Sequence, residues 1–297
     1  MASSKALKGR IRSVTNTRKI TRTMELVATS KLKRAQDRVV AARPYAEALR
    51  EVIADLVTPE LAEQFPLLRR PLPPAKGGPA RAVLIVLTSN RGLAGGFNAN
   101  LIKEARRRIT ALEAEGYTVE LIGVGKKGVG YFKYIGRTFA SERPDIGDRP
   151  TAEHAGSLVE SLVEEFAAGT IGVVELVQSQ FISVMDSPPA TVRILPVEAP
   201  TSTEGAKKGF RPDYILSPDP ATLLEKVLPL YVRNMVYRGL VETVAAEQAA
   251  RRTAMKNATD NAGDIIDALK RTYNRQRQAQ ITQEIAELVG GAAALQG

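Results

Sequence analysis

Apolar residues recur at every third or fourth position at both ends of this sequence and in short continuous runs in its middle. From Ser3 to about Val57 there is no Gly after Gly9 and a single Pro, Pro44. Leu7, Ile11 and Val14, then Ile20, Met24 and Val27, then Leu49, Val52, Ile53 and Leu56 keep helical spacing. The spacing predicts one helix of roughly 80 Å, with Pro44 as the place where it bends or breaks. A second helical pattern runs from about Ala221 to about Val289, and Gly290 and Gly291 are expected to end it. Within it Val241, Ala245, Gln248, Arg252, Met255, Thr259, Ala262, Ile266, Leu269, Tyr273, Gln276 and Gln280 alternate steps of four and three. That is the 3.5-residue period of a supercoiled seam.

Between these patterns the period changes. Residues 58–80 are rich in Pro and Gly and read as a linker. Short β-branched runs follow at 82–88, 117–123, 173–178 and 191–197, separated by helical stretches near 99–115, 126–135 and 152–168. Strands alternating with helices predict a small, mainly parallel sheet. The expected fold is α/β: an antiparallel coiled coil of the long N- and C-terminal helices plus a small, mainly parallel, Rossmann-like middle domain. The expected division is an N-terminal helix over 1–58, a linker over 59–80, an α/β domain over 81–217, and a C-terminal helix with its tip over 218–297.

Composition narrows the chemistry. The chain has no Cys, which removes disulfides, thiolate metal sites and thiol nucleophiles. Its single His, His154, reads as a surface helix residue, because one imidazole makes neither a triad nor a metal cluster convincing. No apolar run is long enough to span a membrane, and the first residues lack the apolar core of a signal peptide. The net charge of +10 sits entirely in residues 1–50, where 13 Lys and Arg face Glu25, Asp37 and Glu47; the other 247 residues balance. Such a segment calls for an acidic partner, whether nucleic acid, anionic lipid or protein.

Three features could carry chemistry. Gly123, Gly125 and Gly128 form GxGxxG between a strand and a helix, the setting of a dinucleotide pyrophosphate site. The motif follows the second strand, however, and Lys126 and Lys127 crowd it, so a plain strand-to-helix turn is expected. The cluster SNRGLAGGFNAN at 89–100 reads as a protein-contact loop with Arg91 at its tip, and no Walker-type motif occurs. Asp260, Asp264 and Asp267 share a helix face but have basic neighbours, the pattern of a solvated surface. No catalytic set is expected, and neither is a bound cofactor or metal. A basic protein that binds nucleic acid would share the charged helix, but reader motifs and interleaved aromatics are missing.

RIRSVTNTRKITRTMELVATSKLKRAQ (10–36), RPYAE (43–47), RGLAGG (91–96) and residues 247–295 resemble the gamma subunits of bacterial F-type ATP synthases. That family usually has Asp and Cys in the glycine loop, where Asn90 and Ala94 stand here. The resemblance implies a non-catalytic central-stalk rotor that transmits torque during ATP synthesis or hydrolysis coupled to hydrogen-ion transport. It implies partners in the alpha and beta subunits, which hold the ATP, ADP and magnesium, together with epsilon and the c-subunit ring; nucleic acid is not among them. It implies a peripheral place on the cytoplasmic face of the plasma (inner) membrane. Lys19, Arg22, Met24, Lys31 and Arg91 would face the acidic lever loop of the hexamer. Arg277, Gln278 and Thr282 would meet its catch region, and Ile281, Ile285, Leu288 and Val289 would turn in an apolar bearing.

Overall fold

The structure, a computed structural model, describes residues 4–57, 59–69, 80–198 and 219–294. In chain order the elements are α1 (Ser4–Leu56), α2 (Pro59–Gln64), a 3-10 turn (Pro66–Leu68), β1 (Arg81–Leu87), α3 (Phe97–Ala114), β2 (Thr118–Val124), α4 (Lys126–Tyr134), β3 (Ser141–Arg143), α5 (Ala152–Ala167), β4 (Ile171–Ser179), β5 (Pro189–Leu195) and α6 (Pro220–Ala294). The chain divides into two units. One joins its first 29 residues to residues 251–297, and the other holds residues 30–250.

In the 30–250 unit the strand order is β3-β2-β1-β4-β5. β1 pairs in parallel with β2 and β4, β2 in parallel with β3, and β5 closes the far edge antiparallel to β4. Every residue of β4, and all of β1 after Arg81, is buried. Continuous burial, mostly of apolar residues, is what a sheet covered on both faces requires. One face packs Val83, Ile85, Val174 and Leu176 against Leu158, Leu162 and Phe166 of α5 and Leu228, Val232 and Val236 of α6. The other packs Leu84 and Val86 against Leu101, Ala105 and Ile109 of α3 and Phe132 of α4. β1 and β4 leave the sheet's centre in opposite directions, so their carboxyl ends form its topological switch point. α6 passes beside it. A Cβ on Gly239 would fall 2.5 Å from Leu176 Cδ2, and the Thr243 hydroxyl accepts the Ser179 N–H at 3.2 Å.

α1 does not break at Pro44, which lies inside the helix. Pro44 and Val40, whose carbonyl loses its donor, are both exposed, so water can serve that carbonyl. α1 buries Leu32, Ala35, Val39, Ala46, Leu49, Ile53 and Leu56, again in steps of four and three, and Ala35 and Val39 pack with Val241 and Ala245. In the other unit Leu7, Glu25 and Ala28 continue that series, whereas Ile20 and Val27 are 60% and 50% exposed. The stripe expected at Ile20, Met24 and Val27 is therefore not the seam, which lies one position over at Thr21, Glu25 and Ala28. Thr259 Oγ1 donates to Thr21 Oγ1 at 2.8 Å, and Gly263 lies beside the Arg18 guanidinium. Numbers fall on one helix as they rise on the other, which is antiparallel pairing.

The seam expected in α6 holds. Val241, Ala245, Gln248, Met255, Thr259, Ala262 and Ile266 are buried; Arg252, Leu269, Tyr273 and Gln276 are half-buried; Gln280 is exposed. Asp219 caps the helix by accepting the Thr222 N–H at 2.9 Å, with Pro220 in the first helical position. Four expectations need correction. Gly290 and Gly291 do not end α6, which continues to Ala294 because two glycines weaken a helix without forbidding it. Part of the expected linker is α2 and the 3-10 turn, started by Pro59 and Pro66, with Leu67 buried in the core. The remainder of that linker (58, 70–79), like the connector at 199–218, lies outside the described residues. β3 was not expected, since its three residues are polar and sit at the sheet edge. Finally, His154 does more than decorate a surface: its Nδ1 accepts the Thr151 N–H at 3.2 Å and its own N–H donates to Thr151 Oγ1, a capping box for α5.

Candidate functional site

The glycine turn after β2 is occupied by the chain itself. Gly125 has φ +93°, and a Cβ there would fall 2.6 Å from the Thr88 carbonyl carbon; one on Gly128 would meet the Thr88 side chain at 2.7 Å. Thr88 Oγ1 accepts the Gly128 N–H at 2.9 Å, the Ser89 carbonyl accepts that of Lys127 at 3.1 Å, and Asn90 Oδ1 accepts that of Lys126 at 3.0 Å. A pyrophosphate on a helix N-terminus needs those three donors. Here the close approach that glycines permit is used to dock β1 against α4, the strand-to-helix turn expected from the sequence.

The same contacts hold the loop that carries Arg91. Ser89 N donates to Asn98 Oδ1 at 3.0 Å, Ser89 Oγ donates to the Arg91 carbonyl at 2.6 Å, and Asn90 Nδ2 donates to the Pro144 carbonyl at 3.0 Å. Asn90 thus uses both ends of its amide, one on α4 and one on the 144–150 loop; an Asp could supply only the acceptor. Leu93 stands at φ +63° and is exposed, while Ala94 is buried in the same core cluster as Phe97 and Leu101 of α3. This loop is fixed by side chains of its own and presents Arg91 to solvent.

The basic residues expected at an interface occupy surface positions of both units. Lys19 is exposed, Arg22 donates to Glu25 Oε2 at 2.9 Å, and Met24 is half-buried. Glu25 itself is only 8% exposed, so Arg22 also answers a carboxylate that the seam has taken out of water. Ile20 and Val27, two members of the expected apolar stripe, are exposed around them together with Leu26, an apolar patch within a basic one. In the 30–250 unit Lys31 forms an ion pair with Asp148, so its charge is partly neutralised within the chain.

Arg277, Gln278, Ile281, Thr282, Ile285, Leu288 and Val289 are all exposed. With Thr21 level with Thr259, the first residue of α1, Ser4, falls about level with Gln276. Beyond that level no described residue of α1 lies beside α6. Ile281, Ile285, Leu288 and Val289 fall within an arc of about 100°, and Leu288 is 74% exposed. An apolar stripe of this kind marks a contact surface. Its near end lies roughly 30 Å along α6 from the level of Lys19, so the two are separate patches. Asp260, Asp264 and Asp267 are exposed, with Asp260 paired to Lys256 at 2.9 Å, the solvated face expected of them.

Among the described residues no group of His, Asp and Glu could hold a metal ion, and no helix is long and apolar enough to cross a membrane. The sequence model of the ATP synthase family matches residues 3–295. The chain is 61% identical over 297 residues to the ATP synthase gamma chain of Gemmatimonas aurantiaca, covering 100% of both chains. It is 40% identical over 295 residues to that of Leptospira biflexa, covering 99% of this chain and 100% of the relative. Among solved structures it resembles a chain of the Euglena gracilis mitochondrial ATP synthase rotor, with a TM-score of 0.63 at 17% identity, covering 94% of this chain and 98% of that one.

Proposed function

The chain belongs to the ATP synthase gamma-chain family, and from that membership we propose that it is the central rotor shaft of a proton-translocating F-type enzyme. In this reading the paired α1 and α6 stand inside a ring of alpha and beta subunits, and the sheet unit sits with epsilon on the c-subunit ring at the cytoplasmic face of the plasma membrane. ATP, ADP and magnesium bind the hexamer, and this subunit catalyses nothing itself. The observation that carries the reading is the end of α6: a helix that runs past the described residues of its partner while exposing an apolar stripe needs an external sleeve.

Torque follows from asymmetry. A coiled coil whose basic and apolar patches lie on particular faces touches each of three beta subunits differently, so each orientation favours a different conformation at each catalytic site. Lys19, Arg22, Met24, Lys31 and Arg91 meet the acidic lever loop, Arg277, Gln278 and Thr282 the catch region, and Ile281, Ile285, Leu288 and Val289 the bearing. Proton flow turns the shaft for synthesis, and hydrolysis turns it backwards.

The test is assembly. Mixed with purified alpha and beta subunits, the chain should co-elute on size exclusion and raise steady-state ATP hydrolysis above that of the hexamer components alone. Failure to join the complex would overturn the reading.

A further inference from the structure

In the 30–250 unit the seam between α1 and α6 contains one side chain that the fold leaves unsatisfied. Gln248 is 1% exposed, and neither its Oε1 nor its Nε2 has a hydrogen-bond partner. Native interiors leave few buried amides in this state, and each calls for an explanation. Gln248 forms part of the wall of a cavity of about 170 Å³. The rest of the wall is Lys31, Arg34 and Arg38 of α1, Asp148 and Arg149 of the loop before α5, and Val244.

The charges around this cavity do not balance. Four cations face one carboxylate, and that carboxylate is taken by Lys31. Arg38 donates through Nη1 to the Asp148 backbone carbonyl at 3.1 Å, and Arg34 reaches only Ser30 Oγ at 3.4 Å. Among the described residues Arg149 makes no ion pair. Two guanidinium groups therefore converge, without a carboxylate of their own, on a buried amide that can donate. The cavity shares Asp148, Arg149 and Val244 with a larger one of about 630 Å³ over the carboxyl ends of β1 and β2. That is the side of a doubly wound sheet where ligands bind.

We propose that the small cavity binds a phosphate-class oxyanion, with Arg34 and Arg149 supplying charge-assisted hydrogen bonds and Gln248 Nε2 donating from below. Lys31 and Arg38 stay on Asp148 and hold the loop that carries Arg149. The space suits one tetrahedral anion and is too small for a nucleoside. Free phosphate, and the terminal phosphate of a larger molecule extending into the adjoining cavity, share this chemistry. The inference does not rest on the rotor assignment.

The experiment uses the full chain alone, titrated with inorganic phosphate and followed by calorimetry, with sodium chloride at matched ionic strength as the control. Saturable binding of one phosphate per chain is expected, at least ten-fold weaker both in the Arg34→Gln/Arg149→Gln double variant and in Gln248→Leu. Gln248→Leu keeps an apolar seam residue, so it should fold, and its urea midpoint without phosphate should rise. ADP competing with phosphate and binding more than ten-fold tighter would support the site as a holder of a larger ligand's terminal phosphate. ADP no tighter than phosphate would support it as a site for the free anion. A phosphate response equal to that of sodium chloride, or binding that survives both variants, would overturn the proposal and leave Gln248 satisfied by water alone. Neither result bears on assembly with the hexamer, which is read separately.

Discussion

Reversing Lys19 and Arg22 to Glu separates an interface role from a folding role, because the structure sets how much stability each can lose. Lys19 is exposed in the middle of α1, where substitutions change stability by about 0.5 kcal/mol or less. Arg22 is different. Its side chain is 59% exposed, yet it donates to Glu25, whose carboxylate is largely out of water. An exposed ion pair is worth up to about 1 kcal/mol, and a hydrogen bond to a partly buried charge up to about 2 kcal/mol. Adding the repulsion of a new carboxylate one turn from Glu25 brings the loss for Arg22→Glu to about 2 kcal/mol. A domain with ordinary stability survives that. Against an acidic partner surface, reversing Lys19 alone should weaken binding about ten-fold, and reversing both about a hundred-fold, most of it lost at high salt. The assay measures affinity for the alpha–beta hexamer at low and high salt, urea unfolding of the free chain, and coupled ATP synthesis in reconstituted vesicles. Lys19→Glu is the decisive variant. If its binding and coupled rate match those of the parent, or if its loss is the same at both salt concentrations, the interface reasoning is wrong.

Other outcomes follow from the same geometry. Gly125→Ala should lower stability by about 3 kcal/mol or abolish folding, since it combines a positive φ with a Cβ against the Thr88 backbone, as urea denaturation would show. Among the described side chains truncation after Gln276 removes only exposed ones, so urea unfolding should be unchanged while stimulation of hydrolysis is lost; a large drop in the unfolding midpoint would mean the tip packs on its own chain. Arg107, Arg143, Thr151 and the Thr222 N–H hold Glu104, Asp145, Glu153 and Asp219 respectively below their ordinary values. Depressed carboxylates stabilise above their unfolded values and lose that contribution as pH falls through the folded ones. The urea midpoint should therefore decline below the ordinary Glu and Asp values of 4.5 and 3.8, and a flat profile between pH 6 and 3 would contradict the assignment.

The seam of α6 was legible because its 3.5-residue period survives polar interruptions such as Gln248 and Thr259. The seam of α1 was misread for a physical reason. Its seam positions near the start are half-buried Thr21 and buried Glu25 and Ala28, while Ile20, Leu26 and Val27 lie outside, so hydrophobicity alone chose the wrong stripe on a helix with two surfaces to present. The sheet was legible from its β-branched runs, except for β3, whose three residues carry no apolar signal. The GxGxxG reading could be weakened from sequence but not decided, because the group filling the turn, Thr88, lies far upstream, just past the end of β1. The Gln248 cavity was invisible for the same reason: α1, α6 and the 148–149 loop meet only once the chain has folded.

The seating of α6 on the sheet has a mechanical consequence. Gly239 lets the helix backbone sink against Leu176, and Thr243 fastens it to the end of β4 four residues further along. The helix cannot turn about its own axis relative to β4 without driving Leu176 into its backbone and rupturing that hydrogen bond. It is fixed in its hub as a key fixes a wheel to an axle, so twist applied to the sheet must enter α6 without slip, and any compliance has to come from elsewhere along the helix.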